Sequence, residues 1–163
     1  MNIKTAGALT LAALGLAIGS AQAQTVTNSM PVQITIQNAC NVSTVAPTTL
    51  DFGTQGPLLA NVDQTATITV TCTTNAPYNV GLNGGGGGAI NTRRMINGAN
   101  TVAYQLYSNA ARTIVWGNTV NTDTVTGTGN GLAQALTVYG RVPAQTTPPA
   151  AVYTDSVTVA VTY

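Results

Sequence analysis

The side chains able to do chemistry in this sequence are few. They are Cys40 and Cys72, the aspartates Asp51, Asp63, Asp123 and Asp155, the arginines Arg93, Arg94, Arg112 and Arg141, and six tyrosines. Histidine and glutamate are absent, and the one lysine is Lys4. A Ser-His-Asp or Cys-His site is impossible without histidine, so acid–base work would fall to scattered aspartates. Asp51 and Asp155 stand beside aromatic residues at strand edges, while Asp63 and Asp123 read as residues of polar turns. Asp51-Phe52-Gly53 carries the letters of the kinase magnesium motif without the rest of that signature. Residues 84–88, five glycines in a row, lack the Lys-Ser/Thr pair of a phosphate loop and read as a flexible hairpin connection. Four aspartates without calcium-loop spacing, and two cysteines without histidine, make no metal site. The expectation is a protein that is not an enzyme, with no catalytic residue, metal or cofactor.

Two further groups invite a binding reading. Trp116 with Tyr104, Tyr107 and Tyr139 could form a sugar-binding platform, although core packing and cross-strand pairing are the preferred roles for such residues. Arg93-Arg94 reads as a solvated loop pair, with a neighbouring subunit as the alternative contact.

The compartment follows from the first residues. Lys4 precedes an uncharged Ala/Leu-rich run over residues 6–18, followed by Ala21-Gln22-Ala23. This is the pattern of a secretory signal peptide, residues 1–23, cleaved before Gln24. Its apolar core is too short to span a bilayer as a helix. Removing it removes Lys4, so four arginines face four aspartates and the side-chain charge is zero. A basic nucleic-acid footprint and a polybasic membrane patch are therefore unsupported, whereas low net charge suits packing against copies of the same chain. In an exported protein Cys40 and Cys72 most simply form one disulfide, stabilising the fold by roughly 3–4 kcal/mol in the chain-entropy model.

The remaining chain is patterned with a period of two. Ala66, Ile68, Val70 and Cys72 alternate with Thr65, Thr67, Thr69, Thr71 and Thr73, as in a half-buried strand. The same alternation marks Val32/Ile34/Ile36, Tyr78/Val80/Leu82, Val102/Tyr104/Leu106, Leu136/Val138 with Val142, and Val157/Val159/Val161/Tyr163. Leu50 with Phe52, and Ile114 to Trp116, are shorter candidates. Asn83-Gly84, Asn97-Gly98 and Asn130-Gly131 supply turns that accept positive φ, and residues 146–150 read as a loop. Many short strands between turns predict an all-β sandwich with Greek-key-like connections, broadly immunoglobulin-like.

One stretch does not fit a self-contained sandwich. Over residues 24–36 the apolar Val26, Met30, Val32, Ile34 and Ile36 fall at even positions, interrupted by Asn28. The run is about thirteen residues against the usual five or six of a strand. It either pairs within its own domain or adds to another molecule's open sheet. At the other end Val157, Val159, Val161 and Tyr163 run to the last residue, with no later strand to cover the sheet.

Taken together, these residues resemble the spore coat protein U-like domain family, whose best-understood members are subunits of archaic chaperone–usher pili. The resemblance is carried by Ile36 with Cys40, Leu50-Asp51-Phe52-Gly53, Val70-Thr71-Cys72, Arg94-Met95, Tyr104-Gln105-Leu106-Tyr107, Val138-Tyr139-Gly140-Arg141-Val142, and Tyr153-Thr154-Asp155 through Val161-Thr162-Tyr163. It implies an incomplete immunoglobulin-like β-sandwich, residues 37–163, completed by a donor strand from a neighbouring subunit. The donor would lie within residues 24–36, with Val26, Met30, Val32 and Ile34 entering the neighbour's groove. Asn28 is the departure from an apolar pattern. Val157, Val159, Val161 and Tyr163 would border the acceptor groove. A periplasmic chaperone would hold the Tyr163 carboxylate with basic residues, and an outer-membrane usher would exchange it for the next identical subunit in the filament. The resemblance further implies a shaft subunit at the cell surface, supporting adhesion and biofilm formation, with no nucleic-acid partner and no direct membrane insertion. The alternative is a self-complete secreted coat or matrix domain, carbohydrate-binding through Trp116. Sequencing the N-terminus of the exported chain should return Gln24-Thr25-Val26; a start elsewhere would move the beginning of the donor segment.

Overall fold

The computed structural model describes residues 23–43 and 49–163. The expected signal peptide, apart from Ala23, lies outside the described residues. The chain divides into two units, Met1–Ile34 and Thr35–Tyr163. Residues 23–34 of the first form neither strand nor helix, and the expected Val32/Ile34/Ile36 strand is in no ladder.

The regular elements of the second unit are strands, joined by long irregular connections. Its elements are β1 (Cys40–Ser43), β2 (Val62–Cys72), β3 (Pro77–Leu82), β4 (Arg94–Asn97), β5 (Asn100–Ala103), β6 (Gln105–Tyr107), β7 (Val125–Thr128), β8 (Ala133–Val142) and β9 (Val159–Thr162), with a single 3-10 turn at Ile90–Thr92. A four-stranded sheet has the order β1-β2-β8-β6, a three-stranded sheet the order β7-β3-β9, and β4 pairs with β5. Every ladder is antiparallel, and the shift of sheet between β2 and β3 is the crossing a sandwich requires.

The alternation in the sequence becomes the core. Ile68, Val70 and Cys72 of β2, Tyr78, Val80 and Leu82 of β3, and Val138 and Val142 of β8 are all buried, the aliphatic ones each stabilising the fold by roughly 1.5–3 kcal/mol as an upper bound. Gly140 occupies the inward position between Val138 and Val142. A Cβ there would collide with Leu50 Cδ2 and crowd Phe52, so the missing side chain lets the only phenylalanine lie against the sheet. Trp116 is also buried, and its indole N–H donates to Val80 O at 2.8 Å. Leu50 with Phe52, and Ile114 to Trp116, contribute core residues without forming strands; Val115 makes one isolated bridge to Tyr107.

Four local readings change. The run Val102/Tyr104/Leu106 is one buried face shared by two strands, because β5 pairs with β4 while β6 pairs with β8. Gln145 takes the place of a neighbouring strand at the break, accepting from Ala103 N and donating to Ala103 O. Asp63 lies within β2, opposite Arg141 on β8, and not in a turn. Residues 84–88 connect strands of different sheets, so they form no hairpin. They are packed against neighbours: at Gly85, φ +71°, the Asp155 carboxylate fills the space a Cβ would need. Arg93 is 0% exposed and not solvated. Its guanidinium donates to Leu82 O and Trp116 O, both at 2.8 Å, to Asn83 O at 3.0 Å and to Gln105 Oε1 at 2.6 Å. A buried cation satisfied by aimed carbonyls joins the end of β3 to the Trp116 segment and β6, and burial draws its pKa below the ordinary arginine value.

Cys40 and Cys72 are register partners on β1 and β2 and form a disulfide. It welds the edge strand β1 to the long strand beside it. Replacing both cysteines with serine should lower unfolding free energy by roughly 3–4 kcal/mol, read as a shift in the urea midpoint; an unchanged midpoint would show that the β1 ladder holds without the bond.

Candidate functional site

β9 pairs with β3 in the register Val80↔Val161 and Leu82↔Val159. Its other edge has no partner among the described residues. The segment leading into it alternates: Tyr153, Asp155, Val157, Val159 and Val161 are half-buried, while Thr154, Ser156, Thr158 and Ala160 are exposed. Beside the segment leading into β9 lies a cleft of about 1250 Å3, lined within β9 itself by Val159 alone. Its floor is the apolar interior, including Ile68, Leu82, Leu106 and Val138, and its two rims are residues 49–58 and 147–159. The space between the sheets is thus open along one side.

Polar contacts hold the rim in place. The Tyr104 hydroxyl donates to Asp155 Oδ2 at 2.6 Å. Asp155 Oδ1 accepts from Gly86 N and from Ser156 N, both at 2.7 Å. Asn83 Oδ1 accepts from Thr158 N at 2.8 Å, and Asn83 N donates to Thr158 O at 3.1 Å. Thr154 exchanges backbone hydrogen bonds with Ile96 of β4 at 2.8 and 3.3 Å. The glycine loop is a socket for Asp155, because the carboxylate occupies the place a Cβ would take at Gly85.

The expected acceptor residues lie together. Val157 and Val159 line the cleft, Val161 packs on the core, and Tyr163 is 60% exposed. The expected donor residues are bare: Val26 is 94%, Met30 82%, Val32 85% and Ile34 82% exposed. Asn28 Oδ1 accepts from the adjacent Ser29 N. Of the aromatic residues proposed as a sugar platform, Trp116 and Tyr104 are in the core, while Tyr107 and Tyr139 are half-buried register partners. Sequence reading did not find the Tyr104–Asp155 contact. Its one signal is that Asp155 is the only polar residue at an inward position between Tyr153 and Val161.

The model of the Spore Coat Protein U domain matches residues 26–160. The chain belongs to that family. This family member is 36% identical over 177 aligned residues to Protein U of Myxococcus xanthus, covering 99% of this chain and 98% of that protein. Its fold resembles a chain in the crystal structure of the CsuC-CsuE chaperone-tip adhesion subunit pre-assembly complex from the archaic chaperone-usher Csu pili of Acinetobacter baumannii. That match has a TM-score of 0.55 and 24% identity over 79% of this chain. It spans 40% of the Acinetobacter chain, and the likeness is one of fold.

Burial first, and the bond to Asp155 second, push the Tyr104 hydroxyl's pKa well above its ordinary value of 10.0. The fold prefers the neutral phenol, so this contribution to stability is complete below pH 10 and is lost as pH rises toward the raised value. Urea midpoints measured from pH 8 to 11 should fall more steeply above pH 10 for the natural protein than for Tyr104→Phe. Parallel curves would show that the hydroxyl is not held in the rim.

Proposed function

We propose that this chain is a structural subunit of an archaic chaperone–usher pilus, polymerising by donor-strand exchange to support adhesion and biofilm formation. The observation that carries the reading is the coexistence of an open apolar groove beside the free β9 edge with an exposed segment alternating in the pattern that fills such a groove. Val26, Met30, Val32 and Ile34 of one subunit enter the groove of the next, bordered there by Val157, Val159, Val161 and Tyr163. Burying those four side chains contributes roughly 1.5–3 kcal/mol each as an upper bound, and the added strand satisfies the unpaired backbone of β9.

Before assembly the groove needs another occupant, since an open apolar edge in water aggregates. A periplasmic chaperone supplies a strand there and an outer-membrane usher exchanges it, so the subunit passes through the periplasm to the cell surface after its leader is cleaved. Family membership and the fold likeness to a chaperone–usher complex support these partners. The alternative of a self-complete coat or sugar-binding domain is weakened twice: residues 24–34 join no ladder, and Trp116 is in the core.

Periplasmic expression with and without the cognate chaperone, followed by unboiled denaturing gels, tests the reading. The intact chain should give a ladder of resistant oligomers and depend on the chaperone for yield, whereas deletion of residues 24–36 should abolish the ladder and preserve chaperone binding. A deletion variant that polymerises like the intact chain would sink the proposal.

A further inference from the structure

The four arginines and four aspartates balance in number, but the fold does not spread them evenly. Arg112 and Arg141 converge on a single carboxylate, Asp63, at 3.4 and 2.7 Å. Arg141 engages it through Nε and Nη2, both at 2.7 Å, leaving Nη1 without a partner among the described residues. The other aspartates serve backbone amides: Asp51 that of Gly53, Asp123 that of Thr119, and Asp155 those of the groove rim. Buried Arg93 makes no ion pair among the described residues and is held by backbone carbonyls and Gln105. Arg94 is exposed on β4 and makes no ion pair or side-chain hydrogen bond among the described residues.

Arg94 and Arg141 share a second, smaller cleft of about 360 Å3 on the surface formed by β4, β6 and β8. Asn91, Thr92, Tyr107 and Pro143 complete the part that matters chemically, and no carboxylate lines it. Its volume lies at the low end for small-molecule sites. A guanidinium grips a carboxylate through two parallel N–H bonds. Tyr107 offers an amphipathic ring to the apolar face of a pyranose, and the Asn91 amide supplies a donor and an acceptor for hydroxyls. A phosphate would use the cations alone and leave the aromatic and amide groups idle.

We propose that this cleft binds a carboxylate-bearing sugar unit, a uronic acid within an acidic polysaccharide, with Arg94 as the principal carboxylate ligand, Arg141 as its supporting charge and Tyr107 as the stacking surface. The site lies within a single sandwich domain, shares only Tyr104 with the lining of the proposed strand-acceptor groove, and does not depend on polymerisation. Of the expected sugar platform it keeps Tyr107 and drops Trp116 and Tyr104, which are buried.

The test is biolayer interferometry of the full exported chain against immobilised polygalacturonate, its fully methyl-esterified form, and polyphosphate. The expected result is binding to polygalacturonate that is lost on esterification and weakened about tenfold or more by Arg94→Gln and by Tyr107→Ala, with Arg94→Lys intermediate. Arg94 is at the surface, so Arg94→Gln should keep the circular dichroism spectrum of the natural protein. Equal binding to the ester, an unchanged affinity in Arg94→Gln, or binding to polyphosphate as strong as to polygalacturonate and indifferent to Tyr107→Ala would each overturn the assignment.

Discussion

A sheet edge without a partner strand must acquire one or be defended, and among the described residues β9 is such an edge. The common defences are missing from it: residues 156–163 contain no charged side chain and no proline, and their exposed positions are Ser156, Thr158, Ala160, Thr162 and Tyr163, which do nothing to repel an incoming backbone. On the inner side, Val157 and Val159 face an apolar floor left uncovered along the cleft. An edge both unprotected and close to open hydrophobic surface is suited to strand addition, and the proposed assembly needs it to stay available.

Keeping it available requires a rim that does not collapse into the cleft. The polar contacts at one end of the sandwich meet this need without filling the space. Asp155 sits among Tyr104, the glycine loop and its own following amide, Asn83 holds Thr158, and Arg93 fixes the end of β3, the strand to which β9 is paired. Ordering the edge in advance lowers the entropy lost when a strand arrives. The glycines permit close backbone approach here, and the same property gives Gly140 its place under Leu50 and Phe52. At the other edge of the four-stranded sheet, the disulfide secures β1 to β2 where only four residues of ladder would otherwise hold it.

The electrostatic design is local. Charges are so few that each has a definite place: Asp155 in the rim, Arg93 in the interior, and Asp63 with Arg112 and Arg141 across the outer face of β2 and β8. The Arg112 guanidinium also lies 5.8 Å from the Tyr139 ring centroid, covering that ring, so the two cross-strand tyrosines are not equivalent. A surface otherwise rich in threonine and asparagine neither repels copies of itself nor attracts polyanions indiscriminately, which leaves selective recognition to confined places.

Much of this was legible in the sequence because strand burial is a property of period two. The faces of β2, β3, β8 and β9 follow from which residues alternate, as does the oddity of an apolar alternation ahead of Cys40, and two cysteines in an exported chain leave one simple pairing. Tertiary structure decided what periodicity cannot express. The Val102/Tyr104/Leu106 run is divided between two sheets because Gln145, remote in sequence, supplies hydrogen bonds at Ala103. Arg93 is internal while Arg94 is external because neighbouring residues on extended backbone point to opposite sides, and only the arrangement of Leu82, Asn83 and Trp116 carbonyls makes the interior side tolerable for a cation. The groove itself is a gap between elements far apart in the chain. A sequence specifies which side chains seek burial, but whether enough strands meet to bury them is settled only when the sheets are assembled.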